Sequence, residues 1–430
     1  MNGLRIGIVG AGVVGACCAL RLSQAGHQVT LIDPEPPGGP HAPSHGNGGW
    51  ISPASVIPMS TPGLWRKIPG YLLDPLGPLT LRWTSLPGLL PWLLAFLRAG
   101  STLARVRATS IALHELLHDA PERHRVLAAE AEASELIHHN GLLYAYPDRA
   151  AMEADALSWQ LRRERGVQWE VLEGDALRAK VPSLSPRYQC GAWVPDGAWC
   201  ANPGEYVHRL VRAAERLGAQ RLVAQVHQLH LEGGRCTGVD TSQGRLWLDR
   251  VVIAAGIGSP RLARQLGDAL PMASERGYHV VLPQASVHLP LPVMPSDGRM
   301  ANTPTTQGLR LAGQVELAHP DAPPNWTRAE VLLAHAKNTY PVLQQPEQLQ
   351  GMTRWMGHRP STPDGLPVIG PSPRCDGVWY ACGHGHVGLA SAPRTADWIE
   401  QGLQASVSAP AQAPHAAYDI ERFRRDRFSG

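Results

Sequence analysis

The stretch Leu4 to Asp33, LRIGIVGAGVVGACCALRLSQAGHQVTLID, contains every part of a dinucleotide-binding βαβ unit in order. Gly10, Gly12 and Gly15 form G-x-G-x-x-G between an apolar run and apolar residues at helical spacing, and a second apolar run ends at Asp33. Such glycines allow a tight turn, close approach of a pyrophosphate and close helix–strand packing, while the final carboxylate accepts ribose hydroxyls. The stretch therefore predicts a dinucleotide site, and the alternative is an ordinary βαβ unit with a glycine-rich turn.

The composition of the 430-residue chain is that of a globular protein of two or three domains, with 43% hydrophobic and 17% charged residues. A net charge of +3 with scattered basic residues gives no sign of a nucleic-acid surface. The seven cysteines include no C-x-x-C pair and favour free thiols in a reducing compartment. We therefore expect a cytoplasmic protein.

The most apolar later stretch is Leu86 to Leu97, LPGLLPWLLAFL. It is too short to span a bilayer and is interrupted by prolines. With Trp65 and Trp83 it predicts an exposed apolar patch that docks at a membrane surface or on a partner, which would place the protein at the inner face of the membrane.

The motif His114-Glu115-Leu116-Leu117-His118 is a literal H-E-x-x-H, which on a helix places two histidines on one face. Zinc proteolysis is one interpretation, but no third ligand follows at a characteristic spacing. The alternative is two surface histidines, and we predict no metal site.

The remaining pattern indicates a second, sheet-based region that begins near Gly141. The apolar run from Val251 to Gly256 predicts a buried strand that returns to the first sheet. Arg221 to Leu231 reads as one strand of a small meander, and the residues after Gln404 as an extended tail.

Several motifs occur along this chain in the same order as in a known flavoprotein family, which the chain therefore resembles. They are S-x-x-N-G-G from Ser44, V-V-I-A-A-G from Val251, G-Y-H-V from Gly277, G-x-R-P-x-T-P-D-G-x-P-x-I-G from Gly357 and G-H-G-H-x-G from Gly383. The chain resembles the family of D-amino acid oxidase, glycine oxidase and bacterial D-amino acid dehydrogenase, most of all the dehydrogenase branch with its hydroxyproline-type members. The resemblance implies FAD, bound noncovalently.

The expected fold is α/β, with a Rossmann-type FAD-binding domain, its parallel sheet covered by helices on both faces. An α+β substrate domain with a large antiparallel sheet accompanies it. Residues 1–56, 201–272 and 357–430 are assigned to the FAD-binding domain and its tail, and residues 57–200 and 273–356 to the substrate domain.

The resemblance also implies a set of cofactor-binding residues. It places Ser44 and Asn47 to Gly49 on the flavin side, the backbone of Val226 at adenine, and the turn before the last helix at the flavin pyrimidine edge. The full set is Gly10, Ala11, Gly12, Val13, Val14, Gly15, Asp33, Ser44, Asn47, Gly48, Gly49, Val226, Ala255, Gly256, Gly357, Arg359, Gly385, His386, Val387, Gly388 and Leu389.

Arg359 is the candidate for holding a substrate carboxylate, because a guanidinium binds a carboxylate through two parallel hydrogen bonds. The alternative is a structural role, in which Arg359 forms an ion pair with Asp364 and stabilises the turn that follows Arg359. Tyr278 and His279 alternate on a strand, and we expect the Tyr278 hydroxyl to reach the substrate while His279 packs away.

His384 and His386 complete the catalytic candidates, and each also has a purely structural interpretation. His386 stands where glycine oxidase has an arginine, so the resemblance makes the charge at this position dependent on pH.

The implied reaction is oxidative deamination of a D-amino acid or a cyclic amino acid by hydride transfer from Cα to flavin N5. Electrons then pass to a quinone or an electron-transfer partner. The alternatives are an oxidase of glycine- or sarcosine-type amines that uses O2, and a flavin-binding subunit of a heteromeric dehydrogenase.

Overall fold

The computed structural model describes residues 3–406, 411–414 and 416–423. Its helices are α1 (Val13–Gln24), α2 (Leu64–Leu73), α3 (Leu86–Ala99), α4 (Leu103–Leu117), α5 (Ala120–Glu130), α6 (Arg149–Glu153), α7 (Ala156–Glu164), α8 (Gly174–Lys180), α9 (Pro203–Arg216), α10 (Ser259–Gln265), α11 (Thr327–Thr339) and α12 (Gly388–Ala405).

The strands lie between these helices, singly or in runs. They are β1 (Arg5–Val9), β2 (Gln28–Ile32), β3 (Trp50–Ile51), β4 (Leu79–Leu81), β5 (Ile137–His138), β6 (Leu142–Tyr146), β7 (Glu170–Glu173), β8 (Cys190–Val194), β9 (Ala198–Cys200), β10 (Gln220–Leu222), β11 (Val226–Glu232), β12 (Arg235–Thr241), β13 (Gly244–Trp247), β14 (Arg250–Ile253), β15 (Ala273–Leu282), β16 (Val293–Pro295), β17 (Ala301–Thr305), β18 (Gly308–Leu317), β19 (Thr353–Ser361), β20 (Val368–Pro371) and β21 (Val378–Cys382).

The first sheet has the order β10-β2-β1-β14-β21-β20, and only β20 is antiparallel to its neighbour. Apolar side chains of α1, α9 and α12 pack on one face. The other face is covered by α10 together with the small sheet β11-β12-β13, so helices lie on both faces as the sequence predicts, with a small sheet added on this one. Both faces are therefore buried, which explains the continuous apolar runs of β1 and β14.

The second sheet has the order β19-β15-β18-β17-β16-β6-β8-β7, with β4 added beside β18. It is mostly antiparallel. All ten residues of β15 are buried, because α11 packs on one side of the strand and the other side faces the glycine loop region across a cavity. We propose the five-segment domain division for the folded chain, since the six strands of the first sheet come only from residues 1–56, 201–272 and 357–430.

Two local expectations are wrong. The run Arg221 to Leu231 divides into two strands, because β10 pairs in parallel with β2 while β11 turns away into the meander. The tail prediction fails for residues 416–423, where Tyr418, Ile420 and Phe423 are buried and the Arg422 guanidinium donates to Asp364 at 3.0 Å. The rest of the tail beyond α12 lies largely outside the described residues.

The apolar stretch forms α3, which is buried on one side only. Trp92 packs against the end of β18 and Ala95 is also buried, whereas Leu94 is 60% exposed. Trp65 and Trp83 are 61% and 69% exposed. Among the described residues, no single helix is long and apolar enough to cross a membrane, although the bent pair 83–99 and 103–130 meets the criteria of length and composition together.

Candidate active site

A cavity of about 1210 Å³ extends from the glycine loop, past the start of α12, to β15 and β19 of the second sheet. Because the ends of parallel strands and a helix N-terminus meet at its inner end, this end suits phosphates. The outer end is lined by side chains of both sheets and of α2 and α7. The cavity therefore connects a phosphate-binding end at the glycine loop with a second region lined by the large antiparallel sheet.

The glycines of the loop differ in what they permit. Gly10 has φ of 109°, and a Cβ there would lie 2.5 Å from the Ala254 carbonyl oxygen. A Cβ on Gly15 would lie 1.9 Å from the Gly10 oxygen, so this glycine brings α1 against β1. Gly12 borders the cavity, where a Cβ would meet only the Ser44 hydroxyl at 3.4 Å. The space beside Gly12 and the start of α1 fits a pyrophosphate.

The Asp33 carboxylate borders the cavity and fixes the glycine loop. One oxygen accepts the Ala11 N–H at 2.8 Å and the other accepts the Glu35 N–H at 3.0 Å. Each carboxylate oxygen has a second lone pair, so ribose hydroxyls can still donate to it. Val226 also borders the cavity, and its carbonyl accepts a hydrogen bond from Arg261, a basic residue at this end that the sequence analysis did not identify.

The loop after β2 lies beside β18. Asn47 accepts the Gly49 N–H at 2.8 Å, and the buried Arg310 guanidinium donates to the carbonyls of His45 and Asn47 at 3.0 and 2.9 Å. Ser44 belongs to the same loop and borders the cavity, and its hydroxyl accepts the Val13 N–H at 3.0 Å, which places it at the start of α1.

Most of the proposed cofactor residues border this one cavity. The exceptions are Ala11, Gly15 and Gly49, which pack behind it. Those that border it are Gly10, Gly12, Val13, Val14, Asp33, Ser44, Asn47, Gly48, Val226, Ala255, Gly256, Gly357, Arg359, Gly385, His386, Val387, Gly388 and Leu389.

Arg359 reaches the cavity wall from β19 and is held by Glu275 of β15, its partner in strand register. Its Nη1 donates to Glu275 Oε1 at 3.1 Å and to the Gln314 carbonyl at 2.9 Å, and its Nη2 lies 3.4 Å from the Gly313 carbonyl. Gln314 has φ of 59°, at a register shift of β18. The Asp364 alternative is therefore wrong, since Asp364 pairs with Arg422.

Gly277 provides the space in which the guanidinium lies. A Cβ at this position would stand 2.3 Å from Arg359 Nη2 and 2.5 Å from its Cζ. The first residue of the G-Y-H-V motif is therefore a glycine because the Arg359 side chain, from the neighbouring strand, fills the space that a larger side chain would need.

The structure gives Tyr278 a different role from the one expected. It borders the cavity, but its hydroxyl donates to the buried Glu316 carboxylate and accepts the Asn325 N–H at 2.9 Å. Burial and this carboxylate raise the pKa of Tyr278 to about 12. Both hydrogen bonds of the Tyr278 hydroxyl are therefore made to groups of the protein itself. His279 is buried on the opposite side, stacked on Trp355 with ring centroids 5.0 Å apart.

The two histidines before α12 differ in surroundings. His384 is buried with Nε2 3.0 Å from the Thr395 hydroxyl, and burial lowers its pKa to about 3. His386 is exposed to the cavity. Desolvation by the protein around the cavity lowers the pKa of His386, with Glu275 opposing and Arg359 reinforcing the shift. His386 therefore belongs to the Arg359 and Glu275 cluster, whereas His384 supports the turn.

Glu275 is the site residue that sequence reasoning missed. Its carboxylate is 8% exposed and also accepts the Ser361 hydroxyl at 2.9 Å. The sequence does carry one sign of this residue. Two adjacent charged residues, Glu275 and Arg276, lie within a strand whose later residues are apolar. Buried charges are paired or functional.

His114 and His118 lie on α4 and its end, with ring centroids 5.2 Å apart. His118 also lies 3.9 Å from Asp119. Across the part of the chain that the structure describes, no group of three or more His, Cys, Asp or Glu side chains could hold a metal ion.

The structure places a glycine loop and the Asp33 carboxylate at one end of a continuous cavity and the Arg359–Glu275 pair at the other, an arrangement typical of dinucleotide-binding enzymes with a second ligand site. The chain belongs to the FAD dependent oxidoreductase (DAO) family, whose model matches residues 5–401. Its cofactor is accordingly FAD, and the loop, Asp33 and the turn before α12 are the residues that fit it.

Individual relatives extend along the entire chain. A protein named D-amino-acid oxidase from Bradyrhizobium diazoefficiens is 44% identical over 98% of this chain and 99% of its own length. D-amino acid dehydrogenase 2 from Ralstonia nicotianae is 31% identical over 96% of this chain and 99% of its own. The structure of L-proline dehydrogenase from P. horikoshii matches with a TM-score of 0.73 at 18% identity, covering 99% and 98% of the two chains.

Proposed function

We propose that this flavoenzyme oxidises a D-amino acid to its imino acid, which water hydrolyses to a keto acid and ammonia. The observation that carries the proposal is a cavity-facing guanidinium, Arg359, fixed on a rigid sheet next to the flavin-binding turn. The names of the 44% and 31% identical relatives support the substrate class. FAD, when bound, supplies the two-electron acceptor for the hydride that leaves Cα.

The hydrogen bonds of Arg359 leave one side of its guanidinium open. Both Nη1 hydrogens are used by Glu275 and the Gln314 carbonyl, and one Nη2 hydrogen points to the Gly313 carbonyl. Among the described residues, Nε–H and the second Nη2–H have no hydrogen-bond acceptor. These two N–H groups form the parallel pair that a carboxylate accepts. Arg359 therefore orients a substrate through its carboxylate and excludes simple amines.

The proposed FAD is noncovalent. The nearest thiol at the cavity is that of Cys382, and burial raises its pKa to about 12, so it stays protonated and unreactive. Acid or heat should release all flavin, and yellow colour that remained on the unfolded chain would contradict the proposal.

We assign a quinone-type electron acceptor, reached at a membrane surface. Helix α2, which has no buried residue, presents Trp65 together with Arg66 and Lys67 beside the cavity mouth. Apolar rings with neighbouring cations suit an anionic bilayer surface. The second candidate acceptor is O2, which the name of the 44% identical relative favours. Stopped-flow mixing of reduced enzyme with air or with a soluble quinone distinguishes them by rate.

The deciding experiment is anaerobic mixing of the holoenzyme with a panel of D- and L-amino acids, D- and L-proline, hydroxyprolines, glycine and sarcosine. Bleaching of the flavin near 450 nm reports hydride transfer whatever the acceptor. D-amino acids should bleach it, and matched amines without a carboxylate should not. Bleaching by glycine and sarcosine alone would replace the proposal with the alternative amine oxidase, and no bleaching by any amino acid would favour a noncatalytic flavin subunit.

A further inference from the structure

We propose that Arg162 binds a second anionic group of the substrate, so that the enzyme acts on D-amino acids whose side chain carries a carboxylate, as in glutamate. The inference rests on the proposed function and deepens it by naming the substrate class. Arg162 lies on α7, borders the outer end of the cavity and is 7% exposed.

The buried guanidinium of Arg162 has no anionic partner in the described ranges of the chain. Its Nε donates to the Ala54 carbonyl at 3.1 Å, and its Cζ lies 4.8 Å from the ring centroid of Tyr144 and 4.4 Å from that of Trp159. Neither Nη1 nor Nη2 has a hydrogen-bond acceptor in those ranges. Buried charges are normally paired, so an anion in the cavity is the partner that Arg162 lacks.

One row of the second sheet connects the two arginines of the cavity, Arg359 and Arg162. The residues of this row that border the cavity are Ala312 on β18, Ala301 on β17, Met294 on β16 and Tyr144 on β6. The first three side chains are small or flexible. The wall between the two guanidinium groups therefore leaves room for a ligand that reaches both.

The open edge of Arg359 lies beside this row. Nη1 is directed to Glu275, whereas the Nε–Nη2 edge lies on the other side of the guanidinium, where Nη2 approaches the Gly313 carbonyl next to Ala312. From β18 to β6 there are three strand spacings, about 14 Å. Two carboxylates three carbons apart, each bound to a guanidinium, span on the order of 13 Å. One molecule of the length of glutamate therefore reaches both arginines.

The mouth of the cavity carries charges that suit an anionic substrate. Lys67 and Arg299 are exposed at its border, and neither forms an ion pair with a described residue. Of the carboxylates there, Asp297 is paired with Arg187 at 2.9 Å, which leaves Asp155 as the counter-charge to the two cations. The balance is positive, and a positive entrance raises the local concentration of anions.

The test compares D-glutamate with D-glutamine, which has the same shape without the side-chain charge, on the FAD-loaded enzyme. The wild type should prefer D-glutamate at least tenfold in kcat/KM. Arg162→Met keeps an apolar stem between the two rings. It should lower kcat/KM for D-glutamate roughly tenfold to a hundredfold, the value of a charge-assisted hydrogen bond, and change D-glutamine less than about threefold.

Arg163→Met is the matched control. Arg163 is the next residue of α7, and its guanidinium also lies over an aromatic ring, that of Trp169, but it is exposed and does not border the cavity. This variant should change neither substrate.

Equilibrium binding tests the same site without turnover. Glutarate carries both carboxylates of glutamate without the amine, and valerate carries only one. Glutarate should perturb the flavin spectrum at least tenfold more tightly than valerate in the wild type, because a second charge-assisted hydrogen bond adds that factor. Arg162→Met should remove this difference.

Opposite outcomes decide against the proposal. If the wild type uses D-glutamine as well as D-glutamate, or if Arg162→Met weakens both by the same factor, Arg162 has only a structural role. If Arg162→Met does not retain FAD, the wild-type ratios of D-glutamate to D-glutamine and of glutarate to valerate decide. If no amino acid bleaches the flavin while glutarate still binds through Arg162, the proposed function fails and the anion site stands.

Discussion

At the scale of single residues, the role proposed for Arg359 is to select substrates that carry a carboxylate. Arg359→Lys keeps the positive charge but loses the parallel N–H pair, so KM for the best amino acid should rise at least tenfold while FAD stays bound. Steady-state kinetics and the flavin spectrum measure the two effects. Arg354→Lys, an exposed arginine of the same strand, is the control. An unchanged KM in Arg359→Lys would show that the carboxylate is held elsewhere.

A second residue-scale prediction concerns the glycine beneath the guanidinium. Gly277→Ala would place a methyl group 2.3 Å from Arg359 Nη2, and the flexible arginine, not the strand, has to move. Amino acid KM should rise about tenfold or more with normal FAD content, as expected for a misplaced orienting group. Gly88→Ala, whose new Cβ has no neighbour within 4 Å, is the comparison. Wild-type KM in Gly277→Ala would mean that the guanidinium tolerates displacement.

At the scale of elements, the end of β2 and the glycine loop act as one unit. Asp33→Ala removes the proposed ribose acceptor and the acceptor for the Ala11 N–H, so the purified protein should contain little FAD. Flavin absorbance per protein measures this directly. Glu35→Ala removes an exposed carboxylate two residues away and should keep full occupancy. Normal FAD content in Asp33→Ala would contradict the nucleotide assignment.

Helix α3 provides the element-scale test of membrane contact. Leu94 is 60% exposed, so Leu94→Glu should fold normally, reduce cosedimentation with phosphatidylglycerol vesicles and slow reduction of a membrane quinone. Dye reduction should be unaffected. Leu93 is the weaker choice because it packs half-buried in the Trp92 cluster. Leu217→Glu, at an equally apolar exposed site beyond α9, is the control. Equal loss with both acceptors would argue against docking.

At the scale of the whole molecule, three buried histidines link stability to pH. Burial lowers the pKa to about 4 for His124 and to about 3 for His279 and His384. The unfolded chain, with histidines near 6.5, therefore binds more protons as pH falls below that value, and the folded state loses stability. Each group contributes up to about 1.4 kcal/mol per pH unit.

Urea unfolding of the holoenzyme in excess FAD should accordingly show a falling free energy of unfolding from pH 7 to pH 5, where carboxylates are still mostly ionised. His124→Gln should make the dependence shallower. A flat profile over this range would show that the three rings are hydrated in the folded state.

The sequence by itself determined the nucleotide-binding unit, the final strand and helix, and the order of the motifs. These depend on local properties: side-chain periodicity, the φ that Gly10 requires, and contacts within about thirty residues. Only the tertiary structure decided which side chains meet at the substrate end. Glu275 and Arg359 are 84 residues apart and become partners through the register of β15 with β19, while Tyr278 is engaged by Glu316 across the irregular β18. Strand register arises from long-range pairing, and a local pattern does not encode it.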